Sequence, residues 1–120
     1  MKRQGWPQFQ DFTPAKDIET LDKAGVSTAF LSVTEPGVWF GDDFAKERQE
    51  AISMSRDMND YAARMATDYK GRFGVFAVLP LPDIDASLKE IAYAFDTLKV
   101  QGVGLLTSYG NKWLSDASFA

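Results

Sequence analysis

Three short apolar runs without a charge, at residues 26–33 (VSTAFLSV), 73–79 (FGVFAVL) and 103–107 (VGLLT), alternate along the chain with three amphipathic stretches. Runs of this kind mark strands buried on both faces. Strands joined through crossover helices must pair in parallel, and the crossovers are right-handed. The order α-β-α-β-α-β therefore predicts an α/β fold, organised as a single domain over residues 1–120. Three parallel strands cannot close an eight-stranded barrel, so they form either a small open sheet or a piece of something larger.

Each helix carries its own start and stop signals. Thr13 reads as an N-cap with Pro14 at the first helical position, where the missing N–H costs nothing. Ile18, Leu21 and Ala24 form the apolar stripe of this first helix, and Gly25 is its left-handed stop. Asp42 or Asp43 caps a long helix over residues 44–69. Its buried face is read as Ala51, Met54, Met58, Tyr61, Met65 and Tyr69, with Lys46, Glu47, Glu50, Arg56, Asp60 and Arg64 opposite. Gly71 ends it, and Arg72 is expected to pair with a nearby helix end or carboxylate. Pro80 and Pro82 terminate the second strand, because proline cannot continue a ladder inside a sheet. Asp83 or Asp85 caps the third helix, whose stripe is Leu88, Ile91, Ala92, Phe95 and Leu98. Past the third strand, residues 108–120 are polar and unpatterned.

The joints differ in length. Helix-to-strand connections are short, but about ten residues separate the first strand from its helix, and they include Trp39 and Phe40 between Gly37 and Gly41. Loops after parallel strands are where α/β proteins build their sites. The segment SVTEPGVWFGDD (32–43) is therefore the strongest pointer to function.

Composition narrows the chemistry. The 120 residues contain no histidine, which removes an imidazole base, a Ser-His-Asp triad and nitrogen ligands for zinc or iron. Acid–base work is left to Asp, Glu, Lys and Tyr. A metal held by this chain alone would rest on carboxylates and backbone oxygens, a donor set suited to Mg²⁺ or Ca²⁺. The formal net charge of −4, without a basic block, predicts no nucleic-acid partner. No apolar run approaches the roughly 20 residues that cross a bilayer, so no membrane partner is expected. The opening MKRQGWPQFQDF has two basic residues but no apolar core, and does not read as a secretory leader. The absence of cysteine fits a reducing, cytoplasmic setting. There is no glycine-rich phosphate loop after any strand, which argues against a flavodoxin-like or nucleotide-binding domain.

Read together, LSVTEPGVWFGD (31–42), GRFGVFAVLPLPDIDASLKEI (71–91) and GVGLLTSYGNKWLSD (102–116) resemble the early part of an amidohydrolase-superfamily barrel. The resemblance is to the branch with aminocarboxymuconate-semialdehyde decarboxylase and the aromatic-acid decarboxylases, and it covers nearly the whole chain. It implies a partial (β/α)8 TIM barrel, three parallel strands alternating with helices and corresponding to strands two to four. It also implies a metal-dependent hydrolase or non-oxidative decarboxylase (lyase) of an aromatic or unsaturated carboxylic acid, with zinc or manganese in the complete enzyme. In the family the metal is held by a His-x-His or Glu-x-His pair on the first strand, by later histidines and by a late Asp. None of these has a matching position here, so the resemblance implies a fragment that holds no metal and is inactive alone. The closing SDASFA departs from the usual continuation, in which a proline and another helix follow.

Four residues are candidates for substrate contact, and none is assigned as catalytic or as a metal ligand. Trp39 and Phe40 either line an aromatic-acid pocket or cap the barrel rim or a subunit interface. Ser108 and Tyr109, with Thr107, either offer hydroxyls to a substrate oxygen or satisfy loop backbone groups. Asp42, Asp43, Asp83 and Asp85 read as helix caps, and Met54, Met58 and Met65 as core. A competing expectation is a non-catalytic module that forms a homo-oligomer or pairs with another chain through its open sheet edges.

Overall fold

The computed structural model describes residues 12–41 and 43–120. The opening segment, read above as no secretory leader, therefore falls outside the described residues except for Phe12, and the candidate cap Asp42 falls outside them too. Side-chain oxygens start all three helices. Thr13 accepts the Lys16 N–H at 3.2 Å and opens α1 (Pro14–Lys23). Asp43 accepts the Lys46 N–H at 3.1 Å and opens α2 (Phe44–Asp68). Asp83 accepts the Ala86 N–H at 3.0 Å and opens α3 (Ile84–Tyr93). Asp85 instead sits in the first turn of α3, where a negative charge favours the helix dipole. Gly25 (φ 69) and Gly71 (φ 76) release α1 and α2 toward the strands that follow. α3 passes directly into a π-helical turn at Ala94–Leu98.

β1 (Ala29–Leu31), β2 (Phe73–Ala77) and β3 (Gly102–Val103) form one parallel sheet in the order β1-β2-β3. Phe30 pairs with Gly74 and Phe76 with Gly102. Val75 and Ala77 turn to the helical side, where they pack with Ala94 and Val100 and against Ala62 and Ala66 of α2. A second cluster, Val38, Ala51 and Val78, ties the loop after β1 to α2, with Met54 and Met58 alongside. Arg72 joins the N-terminal edge together: it donates to Asp22 at 2.6 Å and to the Ser27 carbonyl at 2.8 Å.

Asn59 links these parts. It is 2% exposed. Its side-chain amide donates to the Val78 carbonyl and accepts the Val78 N–H, both at 2.9 Å. The same amide nitrogen donates to Glu90 Oε1 at 2.9 Å. Glu90, 3% exposed, receives Arg56 on Oε2 at 2.9 Å, so the buried carboxylate is both paired and hydrogen-bonded. The Arg56 guanidinium also lies 3.5 Å over the Tyr93 ring, whose hydroxyl donates to Asp60 at 2.8 Å.

Several sequence expectations need correction. The first strand is three residues long and its Phe30 is exposed, because it is a sheet edge with helices on one side only. The second and third strands are shorter than their apolar runs, and Leu79 lies past the end of β2 in the proline-bounded turn. The buried face of α2 is Ala51, Ser55, Asn59 and Met65, whereas Tyr61 is 49% exposed. Small and amide side chains at four-residue spacing let α2 approach β2 closely, and Ser55 satisfies its hydroxyl on the Ala51 carbonyl. Arg56 and Asp60 are not merely solvated, since they engage Glu90 and Tyr93. On α3 the face toward the sheet is Ala86, Ser87 and Glu90, continued by Ala94 in the π-turn, while Leu88 and Phe95 are exposed. The polar tail is patterned after all: β4 (Ser108–Tyr109) and β5 (Lys112–Trp113) form an antiparallel ribbon, followed by a 3-10 turn at Ala117–Phe119.

Removing the Asn59 amide leaves a buried N–H, a buried carbonyl and a buried carboxylate short of a partner. Asn59→Ala is expected to lose about 2–4 kcal/mol of stability, read from the urea midpoint at unchanged m-value.

Candidate functional site

The three loops that leave the carboxyl ends of β1, β2 and β3 converge on one cleft of about 700 Å³. The loop after β1 contributes Glu35, Pro36 and Trp39, and α2 adds Phe44 from its first turn. Leu81 and Pro82 come from the loop after β2. Leu106, Ser108 and Tyr109 come from the loop after β3 and its ribbon. This convergence follows from parallel pairing, because every strand then delivers its outgoing loop to the same end of the sheet.

The long aromatic loop is anchored rather than free. Val38 is 3% exposed and packs with Ala51 and Val78. Its neighbour Trp39 packs against that cluster and meets the edge of Phe44, with ring centroids 4.9 Å apart and planes at 70°. Trp39 Nε1 is buried without a hydrogen-bond partner, an arrangement that costs on the order of 1–3 kcal/mol. The indole therefore serves the wall through its area and shape, at some expense in polar satisfaction.

Of the four residues singled out by sequence, Trp39, Ser108 and Tyr109 come together in the cleft, while Phe40 is 49% exposed and is not among its lining residues. Tyr109 closes its own loop, since its hydroxyl accepts the Leu106 N–H at 2.9 Å and keeps its proton to donate. Thr107 is exposed. Sequence reasoning missed Phe44, which counted only as the start of a helix, and Leu81 with Pro82, which counted only as a strand terminator. It also missed Glu35, the only charged side chain among the described residues that line the cleft.

Among the described residues the perturbed titrations lie outside the cleft. Arg56 is held above its ordinary value by its hydrogen bond and charge pairing with Glu90. Tyr93 is raised chiefly because Asp60 accepts its proton in a hydrogen bond. Asp116 is held below the usual carboxylate range by the Ser118 hydroxyl and then by the Ser118 N–H, at 2.6 and 2.9 Å. A carboxylate with a lowered folded-state pKa stabilises the fold above its unfolded pKa, and that contribution fades as pH falls through the lowered value.

The chain belongs to the amidohydrolase family, which it matches over residues 6–120. The parallel strands alternating with helices, with a cleft at their carboxyl ends, are part of a (β/α)8 barrel. The chain is 35% identical over 120 residues to a decarboxylase of Aspergillus niger, covering 97% of this chain and 32% of that protein. It is 36% identical over 118 residues to the 6-methylsalicylic acid decarboxylase of Penicillium expansum, covering 96% of this chain and 35% of that one. Among solved structures it superposes with a TM-score of 0.78 and 25% identity on 5-carboxyvanillate decarboxylase of Novosphingobium aromaticivorans, complexed with manganese and a substituted benzoic acid. That match covers 87% of this chain and 28% of the other. The chain thus spans about a third of the length of the curated relatives it matches.

The manganese of that neighbour has no counterpart ligand set among the described residues here. No three His, Cys, Asp or Glu side chains gather to hold an ion among them, and the sequence contains no histidine. No helix among the described residues is long and apolar enough to cross a membrane.

Two variants separate the roles of Trp39. Trp39→Phe keeps an aromatic edge against Phe44 and removes the orphaned donor, so stability should change by less than about 1 kcal/mol. Trp39→Ala empties the same space and should cost about 3 kcal/mol. Both are read by urea unfolding.

Proposed function

We propose that this chain supplies the substrate-facing wall of a divalent-metal-dependent decarboxylase or hydrolase that acts in the cytoplasm on an aromatic or unsaturated carboxylic acid, and that it is inactive alone. The observation that carries the reading is the meeting of Trp39, Ser108 and Tyr109 in one cleft at the carboxyl ends of the strands. Relatives whose names specify decarboxylation match over nearly all of this chain.

The division of labour follows from the cleft chemistry. Trp39, Phe44, Leu81, Pro82 and Leu106 offer flat and aliphatic surface to a ring and exclude water from it. Tyr109 donates its phenolic proton toward a ring oxygen while the Leu106 N–H fixes its position, and the Ser108 hydroxyl serves as a second such contact. Among the described residues no Lys or Arg lines the cleft, and Glu35 repels an anion. This wall therefore orients the ring and leaves the carboxylate to a positive charge from elsewhere. In the complete family enzyme, zinc or manganese would polarise a bound oxygen. With no ligand set for it among the described residues, no step is assigned to a metal on this chain.

Purified chain given manganese or zinc and 6-methylsalicylate should release no carbon dioxide above the metal-only control. Metal-dependent turnover would overturn the claim of inactivity. Equilibrium dialysis with the same acid tests the wall itself. Glu35→Gln should tighten binding roughly three- to tenfold, about 1 kcal/mol of relieved repulsion, and Trp39→Ala should weaken it. If neither substitution moves the affinity, the cleft is not where the acid binds.

A further inference from the structure

The ribbon after β3 carries two hydroxyl groups of the cleft, and its turn rests on a ring from another element. β4 and β5 pair Ser108 with Trp113 and Tyr109 with Lys112, so Gly110 and Asn111 make a two-residue turn. Gly110 opens that turn at φ 63, a backbone state that glycine enters without steric cost. Its missing side chain has a second consequence. A Cβ at Gly110 would stand 3.0 Å from Cζ and 3.2 Å from Cε2 of Phe44, inside the usual carbon–carbon contact of about 3.5–4.0 Å. The backbone of the turn therefore lies directly against the Phe44 ring.

Phe44 is held from two directions. It is the first residue of α2, whose start is set by the Asp43 cap. Its ring also meets Trp39, with centroids 4.9 Å apart. One ring thus touches both the loop after β1 and the ribbon after β3, and Trp39, Phe44, Ser108, Tyr109 and Gly110 line the same cleft. Within its own segment the ribbon is closed by two bonds: the Tyr109 hydroxyl accepts the Leu106 N–H at 2.9 Å, and the Thr107 carbonyl accepts the Leu114 N–H at 3.3 Å. Gly110 on Phe44 ties it to α2 and, through Trp39, to the loop after β1.

We propose that Phe44 and Gly110 form a clasp that positions the Ser108 and Tyr109 hydroxyls toward a ring oxygen of the bound acid, an inference that rests on the reading of the cleft as the acid site. Both are positioning residues for those hydroxyls. Gly110 directly follows Ser108 and Tyr109 in the chain, so a shift of the turn carries both hydroxyls with it. Hydrogen bonds weaken steeply when misaligned, whereas apolar contact tolerates small displacements. Opening the clasp therefore costs recognition of a ring oxygen before it costs affinity for the ring.

Two variants open the clasp from opposite sides. Phe44→Ala removes the ring under the turn. Gly110→Asn keeps the ring and sets a Cβ against it, in a residue that tolerates the left-handed backbone. The Leu106 amide signal in proton–nitrogen NMR spectra reports on the Tyr109 hydroxyl, and Tyr109→Phe marks its unbonded position. Both variants should move the Leu106 signal toward that position and leave the Val78 amide, held by Asn59, where it is. Equilibrium dialysis then compares 6-methylsalicylate with 2-methylbenzoate, the same acid without its ring hydroxyl. The wild type should favour the hydroxylated acid about fivefold, the worth of one hydrogen bond, and both variants should lose most of that preference.

A Leu106 signal unmoved in both variants overturns the clasp. So does weaker binding of both acids at an unchanged ratio, the result expected if Phe44 supplies only apolar surface. A Leu106 signal that moves in Phe119→Ala alone, whose ring normally meets Tyr109 at 6.1 Å, also overturns it, in favour of support from the 3-10 turn. A wild type that binds both acids equally overturns it as well. A wild type that binds neither acid refutes the reading of the cleft instead, and the Leu106 signal then decides the clasp by itself.

Discussion

The side chain of Asn59 is the interaction on which the rest of this structure depends. It treats the peptide group of Val78 as a strand neighbour would, giving one hydrogen bond and taking one. Val78 lies just past β2, where the ladder ends and where Pro80 and Pro82 exclude a continuation. An open peptide at that point, buried among apolar side chains, would cost on the order of 1–3 kcal/mol per group. The amide fills the gap and directs the chain into the turn that becomes one wall of the cleft. Its remaining proton goes to Glu90, so one residue of α2 fixes β2 and α3 together.

The charge next to it follows from the same requirement. A buried carboxylate is tolerated when it is paired and hydrogen-bonded, and Glu90 has both through Asn59 and Arg56. Arg56 remains partly in water, stacked on Tyr93, which in turn holds Asp60. The chain of contacts runs from a dry amide to a wet carboxylate without leaving a group unsatisfied. Such a network orders the packing angle of two helices more than it adds stability.

Much of the architecture was legible in the sequence because it rests on local chemistry. Thr13, Asp43, Asp83, Gly25 and Gly71 act through the backbone nearest to them, and they stand where the sequence placed them. The parallel order followed from the alternation of runs. Burial was harder to read. Tyr61, Leu88 and Phe95 counted as core because they are apolar, yet the faces that pack are lined with Ser55, Asn59, Ser87 and Glu90. Apolar periodicity records where a side chain prefers to be, and is silent on a polar residue whose partner is 19 or 31 positions away. The site divided in the same manner. Trp39, Ser108 and Tyr109 were visible as unusual residues after strands, whereas Phe44, Leu81 and Glu35 enter the cleft only through the path of the folded chain.

The loop after β1 holds on with Val38 and faces the cleft with Glu35, Pro36 and Trp39. Anchor and cleft surface are thus different residues, and the anchor is a plain aliphatic side chain packed against Ala51 and Val78. A loop divided this way can be rewritten at its contact positions while its attachment stays the same. Attachment and cleft surface thus draw on separate parts of the same twelve-residue stretch, so a substitution at Glu35 or Trp39 alters the cleft wall without touching the residue that fastens the loop.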